Sequence, residues 1–387
     1  MIPYGRQDID QADIDAVVAA LKSEFLTQGP AVPAFEDAVA RYSNANFGVC
    51  VNSATSALHI ACLALDVGPG DTVWTTPTTF AASANCALYC GANVDFVDID
   101  PATNNLSVEQ LAKKLMAARI SGALPKVVIP VHLGGEPCDM VGIRELAGEY
   151  GFYIIEDASH AIGGKYLGKP IGACQFSDIT VFSFHPVKII TSAEGGMATT
   201  NNEVWARRMQ LLRSHGITRD PELLIRKTEG PWYYEQLELG FNYRMTDLQA
   251  ALGLSQLRRL DEFVSTRHAV AERYDTAFQS VPEVVIPQRS PKAYSGMHLY
   301  IIRLQLKNTK ASHREVFESL RSSGVLVNLH YMPVYWHPFY ERLGFKRGYC
   351  PEAERYATDA ISLPMYVGLS QFEQTEVTAA LLRSFNG

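Results

Sequence analysis

The stretch Ile179-Thr180-Val181-Phe182-Ser183-Phe184-His185-Pro186-Val187-Lys188-Ile189-Ile190-Thr191-Ser192-Ala193-Glu194-Gly195-Gly196 decides the fold. Its first six residues are mostly apolar, which predicts a strand over 179–184 covered on both faces. Such strands belong to parallel sheets flanked by helices, where ligands sit at the carboxyl ends of the strands. Lys188 follows five residues after the strand-end Ser183 and so falls at that edge. A lysine held in a desolvated pocket has a lowered pKa and can act as a Schiff-base amine. Ser183 can reach a phosphate there, and Gly195-Gly196 let backbone pass close to a planar ring. The alternative for this segment alone is a solvated loop lysine, the usual fate of Lys.

Moving outward, strands over 47–51, 72–76, 94–99, 126–131 and 152–155 alternate with helices over 56–65, 80–89, 107–120 and 140–150. Near the N-terminus Ile14, Val17, Val18, Leu21 and Phe25 fall at helical spacing, with Asp10 as N-cap. The pattern is α/β: a mostly parallel sheet flanked by helices. It changes near residue 255. A long helix over 248–264 reads as a bridge, followed by strands over 298–306 and 325–329 and helices over 314–322, 352–362 and 370–385. This predicts a large domain over 1–255 and a smaller α+β domain over 256–387.

Four further segments follow strand ends. The strand 47–51 runs into Asn52-Ser53-Ala54-Thr55-Ser56 before a helix, where small residues and a helix N-terminus suit an anion. The same run is also an ordinary helix cap. The strand 152–155 runs into Glu156-Asp157-Ala158-Ser159-His160. A buried Asp needs a partner, and a protonated pyridine nitrogen is one; an Asp capping the next helix is the other reading. Phe80, after Thr76-Pro77-Thr78-Thr79, can stack on a ring or simply join the core. Asn242 and Arg244 are polar in the aromatic loop 240–247, either for a ligand or for local turn bonds. Taken in this order, a phosphate loop, an aromatic cover, a strand-end Asp and a Lys followed by Gly-Gly are the parts of a pyridoxal 5'-phosphate (PLP) site.

Composition fits an enzyme of this kind. The chain has 387 residues, 47% of them hydrophobic and 19% charged, with a net charge of −7. No dense Lys/Arg run is present, which argues against nucleic acid as partner. No apolar run approaches the roughly 20 residues of a membrane helix, and the start Met1-Ile2-Pro3-Tyr4-Gly5-Arg6 lacks a signal core. The seven cysteines are odd in number and irregularly spaced, with no metal-ligand pattern. A cytoplasmic protein without a metal is expected.

The wording of these segments resembles the DegT-type sugar aminotransferases, a branch of fold-type I PLP enzymes. The likeness runs through 26–30, 52–58, 156–160, 183–196, Arg213-Ser214-His215-Gly216 and 240–253. His160, the stretch 182–188 and Val327-Asn328-Leu329-His330-Tyr331-Met332-Pro333 resemble the branch that serves pseudaminic acid synthesis. That resemblance implies L-glutamate as amino donor and UDP-2-acetamido-2,6-dideoxy-β-L-arabino-hexos-4-ulose as acceptor. It implies Lys188 as the Schiff-base lysine, Asp157 on the pyridine nitrogen, and Ala54, Thr55 and Ser183 at the phosphate. Phe80 would cover the ring and His160 would sit near the 3-hydroxyl. Asn242 would reach the phosphate of a neighbouring subunit's cofactor, making a homodimer. Tyr4, Glu24, Phe25, Leu26 and Thr27, with Asn328, Leu329, His330 and Tyr331, match positions that hold the sugar nucleotide.

Rival readings are a sugar dehydratase of the same fold, a non-catalytic PLP-fold sensor, and an aminotransferase for another nucleotide-linked keto sugar. The dehydratases carry His in place of the lysine, and a sensor is expected to lose Lys188, Asp157 or the Gly-Gly. All of these are present. Fold and cofactor leave the choice of sugar open.

Overall fold

The computed structural model describes residues 1–226 and 230–385. A seven-stranded sheet organises it: β1 (Phe47–Val51), β2 (Thr72–Thr75), β3 (Asn93–Phe96), β4 (Val127–Ile129), β5 (Tyr153–Asp157), β6 (Ile179–Ser183) and β7 (Gly196–Thr200). Their order across the sheet is β1-β7-β6-β5-β4-β2-β3. From β6 to β3 every neighbouring pair is parallel. Only β7 runs antiparallel to its neighbours, β6 and β1. All five residues of β6 are buried, as its apolar run requires.

β7 lies outside the strands expected from sequence. Its residues Gly-Met-Ala-Thr-Thr lack an apolar pattern, yet pairing on both edges buries every one of them. The strand expected over 152–155 extends to Asp157, so Glu156 and Asp157 stand on the strand itself. Their side chains therefore point to opposite faces of the sheet.

The helices used below are α1 (Gln11–Leu21), α2 (Ala54–Ala64), α3 (Ala82–Tyr89), α4 (Asp247–Leu257), α5 (Leu260–Phe278), α6 (Pro351–Ala357) and α7 (Gln371–Ser384). Asp10 caps α1 in a reciprocal capping box with Asp13. The apolar stripe of α1 does not enter the core: Ile14 and Leu21 are 48% and 55% exposed. Its buried residue is Asp13, bonded by Gln256 and Arg259. The single long helix expected over 248–264 is two, α4 and α5, which meet at Arg258 and Arg259. At that break Arg259 pairs with Asp8, Asp10 and Asp13.

Toward the C-terminus, β8 (Tyr300–Leu304) lies between Val284–Val285 and β9 (Ala360–Leu363), antiparallel to both. The helix expected over 352–362 thus gives way after Ala357, because 360–363 pairs with β8 and is wholly buried. A cluster of buried apolar residues drawn from 270–385 packs around these strands, α5 and α7. Val325–Leu326 pairs in parallel with Ile2–Pro3, which carries the N-terminus to the segment 328–331.

Candidate active site

Lys188 sits in a loop closed on itself between β6 and β7. The Phe184 N–H donates to the Gly195 carbonyl at 2.9 Å, and the Ser192 N–H donates to the Phe184 carbonyl at 3.0 Å. The lysine is half-buried, and its amine has no hydrogen-bond partner among the described residues. Burial pushes its pKa down to about 8, partly offset by the negative charge of Asp157.

Beside that loop Gly196 pairs with both Ser183 and Val51. A Cβ on Gly196 would stand 2.5 Å from the Ala54 nitrogen, closer than any side chain fits. Glycine here lets β7 pass against the first turn of α2. Ser53 caps that helix by accepting the Ser56 N–H at 3.1 Å. The N–H groups of Ala54 and Thr55 find no acceptor among the described residues. Ser53 thus caps the helix, and the two residues after it leave donors without a partner at its positive end, as an anion site needs.

Asp157 is 5% exposed. Its carboxylate accepts from the Ser83 hydroxyl at 2.6 Å and from the Ser159 N–H at 3.1 Å. Ser83, on α3, was not singled out in the sequence. The visible signal was its spacing of four from Thr79, which places the two hydroxyls 2.7 Å apart. On the opposite face of β5, Glu156 accepts from His132 at 2.7 Å, from Thr180 at 3.1 Å and from Ser177. Burial pushes the Glu156 carboxyl up, but these partners outweigh it and hold it below the usual range. The His132 Nδ1 accepts the Cys138 N–H at 3.2 Å, which puts the ring proton on Nε2, toward Glu156.

Three imidazoles lie within electrostatic reach of Lys188. Burial first, and the charge of Lys188 second, push His160 and His298 well below the ordinary range and His330 down to about 3. All three are neutral at physiological pH. The His160 Nδ1 accepts the Gly134 N–H at 3.2 Å, so its proton is on Nε2, which lies 3.2 Å from the Tyr331 hydroxyl. The His330 ring is 5.3 Å from that of Tyr4. The ring of Phe80 is 6.4 Å from that of Tyr331 and 63% exposed. His298 packs against His160 with ring centroids 4.5 Å apart. It was read from sequence only as the start of a strand, since nothing local distinguishes it from a core histidine.

Lys188, Asp157, His160, His330, Tyr331, Tyr4 and Phe80 thus gather at the carboxyl ends of the strands, with Ser183, Ala54 and Thr55 alongside. Asn328 and Leu329 border the group through the bridge of Asn328 to Ser362. The segment Glu24-Phe25-Leu26-Thr27 does not join it within one chain. It is exposed and pinned to the start of α4, where the Asp247 N–H donates to the Leu26 carbonyl at 3.0 Å. Asn242 is also exposed; its carbonyl accepts from the Asn52 side chain at 3.5 Å, and its own amide is unpaired among the described residues.

A free amine of lowered pKa, a buried carboxylate across from it and a donor-lined helix start suit a cofactor with an aldehyde, a basic ring nitrogen and a phosphate. Comparison with known proteins agrees. The model of the DegT/DnrJ/EryC1/StrS aminotransferase family matches residues 7–382. The UDP-4-amino-4,6-dideoxy-N-acetyl-beta-L-altrosamine transaminase of Campylobacter jejuni (strain 81-176) is 40% identical over 344 residues, 89% of this chain and 87% of that protein. Helicobacter pylori PseC, an aminotransferase involved in the biosynthesis of pseudoaminic acid, superposes with a TM-score of 0.89 at 30% identity, covering 99% of each chain. Spr1654 of Streptococcus pneumoniae, solved in its PMP form, gives the same TM-score, identity and coverage. The chain belongs to the DegT/DnrJ/EryC1/StrS aminotransferase family and is a PLP-dependent sugar aminotransferase.

Proposed function

We propose that the enzyme moves the amino group of L-glutamate to C4 of UDP-2-acetamido-2,6-dideoxy-β-L-arabino-hexos-4-ulose. The product is UDP-4-amino-4,6-dideoxy-N-acetyl-β-L-altrosamine, in pseudaminic acid synthesis. One observation carries this reading: Tyr4, His330 and Tyr331, matched to sugar-holding positions, gather with His160 beside Lys188. The 40% identity to a transaminase named for that product supports it.

The residues divide the work. Asp157, held by Ser83 and the Ser159 N–H, keeps the ring nitrogen protonated. The Ala54 and Thr55 N–H groups and the Ser183 hydroxyl hold the phosphate. Phe80 would cover one face of the ring, and the His160 Nε2–H would serve the 3-hydroxyl. When bound, PLP draws off the electrons left on the carbon that loses its proton. Lys188, partly neutral near pH 8, would take the α-proton of glutamate and hold it beside the cofactor. In the second half it carries a proton back to C4 of the sugar.

The functional unit in this proposal is a homodimer, with Asn242 reaching the neighbour's phosphate and Glu24, Phe25, Leu26 and Thr27 completing the nucleotide site. The exposure of Asn242 and of Phe25 and Leu26, 49% and 50%, supports that arrangement. The division into 1–255 and 256–387 belongs to the proposal as well, supported by the buried apolar cluster drawn from 270–385. So does a cytoplasmic setting. No helix among the described residues is long and apolar enough to cross a membrane, and all seven cysteines are free thiols. The test is an assay of UDP-linked 4-keto sugars with glutamate that follows the configuration at C4. The named L-arabino substrate should give the altrosamine product. Turnover confined to another nucleotide or to the C4 epimer would overturn the assignment.

A further inference from the structure

Arg267, on α5, is 1% exposed and has no ion pair among the described residues. Its Nε is without a partner. Burial lowers its pKa to about 10, which still leaves it charged at neutral pH. An unpaired buried charge is costly, and a methionine or leucine would fill the same volume without that penalty. What the guanidinium does instead is grip two backbone carbonyls. Its Nη1 donates to His298 O at 3.2 Å and to Met365 O at 3.1 Å.

Both carbonyls lead into the site. The Met365 N–H donates to the Tyr4 carbonyl at 2.9 Å, so the residue whose carbonyl Arg267 holds bonds Tyr4 through its N–H. Tyr4 in turn lies against His330. His298 carries the imidazole that packs on His160, which bonds Tyr331. A single side chain therefore fixes two walls that reach the site from separate parts of the chain, the N-terminal strand and the segment before β8. The Tyr4 side makes no hydrogen bond to Lys188 or to the phosphate cradle among the described residues.

We propose that Arg267 is a positioning residue for the sugar-facing wall, acting through Met365 on Tyr4 and on the His330 ring beside it. The inference rests on the aminotransferase reading of the site and adds a residue that touches neither cofactor nor sugar. Because the wall faces the acceptor sugar, loss of Arg267 should separate the two half-reactions.

The test uses the holoenzyme with Arg267→Met, which keeps the volume, and Arg267→Lys, which keeps the charge and one arm. Arg267→Met should retain the cofactor absorption band and the rate of the glutamate half-reaction to within about 2-fold. It should raise KM for the UDP-linked keto sugar by about 10-fold, the loss expected when one or two hydrogen bonds no longer hold a wall. Arg267→Lys should recover part of that loss. Should the Met variant not fold, the Lys variant carries the test, with a smaller rise confined to the sugar KM. An unchanged sugar KM, or an equal fall in both half-reactions, overturns the proposal and makes Arg267 a structural residue only. Failure of the wild-type protein to take up PLP would be a different result: it would remove the aminotransferase reading itself.

Discussion

Glu156 and Asp157 are neighbours on one strand and almost equally buried, at 4% and 5% exposure, yet their surroundings differ in kind. Glu156 faces a closed set of donors, His132, Ser177 and Thr180, with no lysine among them. Asp157, one residue on, has two donors and lies within electrostatic reach of an amine that has no hydrogen-bond partner of its own. One carboxylate is complete without a ligand. The other belongs to a set whose amine and helix N–H groups have no partner among the described residues. The strand pleat alone separates the two roles, by turning consecutive side chains to opposite faces.

Substitutions on the two faces should therefore fail differently. The largest effect is expected at Lys188. Lys188→Ala should cut turnover by at least about 10³-fold, since it removes both the covalent anchor and the proton carrier. Normal turnover by that variant, in a steady-state assay, would remove Lys188 from the chemistry. Asp157→Asn should lower the rate by about 10²–10⁴-fold while moving unfolding free energy by no more than about 1 kcal/mol. Urea melts beside kinetics measure both, and parallel losses would make Asp157 a second Glu156. On the other face, His132→Ala should cost about 3–5 kcal/mol of stability, because it leaves a buried carboxylate without its main donor. The turnover of the molecules that remain folded should stay within about 3-fold of wild type. A large kinetic loss with unchanged stability would assign the dyad to the chemistry instead.

The smallest effect is a pH dependence. The folded pKa of Lys188, about 8, lies below its ordinary 10.5. Between those values the unfolded chain binds the extra proton, so this group makes the cofactor-free protein more stable as pH rises through the window. Below about 8 the cost of burying the charged amine is present in full. Lys188→Met should be the more stable protein at neutral pH and should lack that part of the rise, as denaturant melts at several pH values would show. Identical pH profiles would mean that the amine is solvated.

The strand-end rule made the centre of the site legible. Lys188, Asp157 and the 52–56 run stand out in the sequence because each follows an apolar strand, and polar residues collect at the strand ends of such a sheet. The rest depended on contacts between distant segments. Ser83, His298 and Arg267 look like ordinary helix and core residues until the fold places them against Asp157, His160 and the N-terminal strand. β7 was missed because small and hydroxyl residues carry no period, and pairing on both edges supplied what pattern did not. At 360–363 the helical reading lost to a strand paired with β8. On α1 the apolar stripe was read correctly as helical, but its spacing could not say that Asp13 would face inward and Ile14 outward. The meeting of Tyr4 with residues 328–331, on which the proposed sugar choice rests, is the part that strand patterns do not encode.

The covalent role of Lys188 can be tested chemically. The purified protein is incubated with PLP, reduced with borohydride, digested and analysed by mass spectrometry. One pyridoxyl group is expected, covalently attached to the peptide that contains Lys188. A label on any other lysine, or none on a protein that still transaminates, would contradict it.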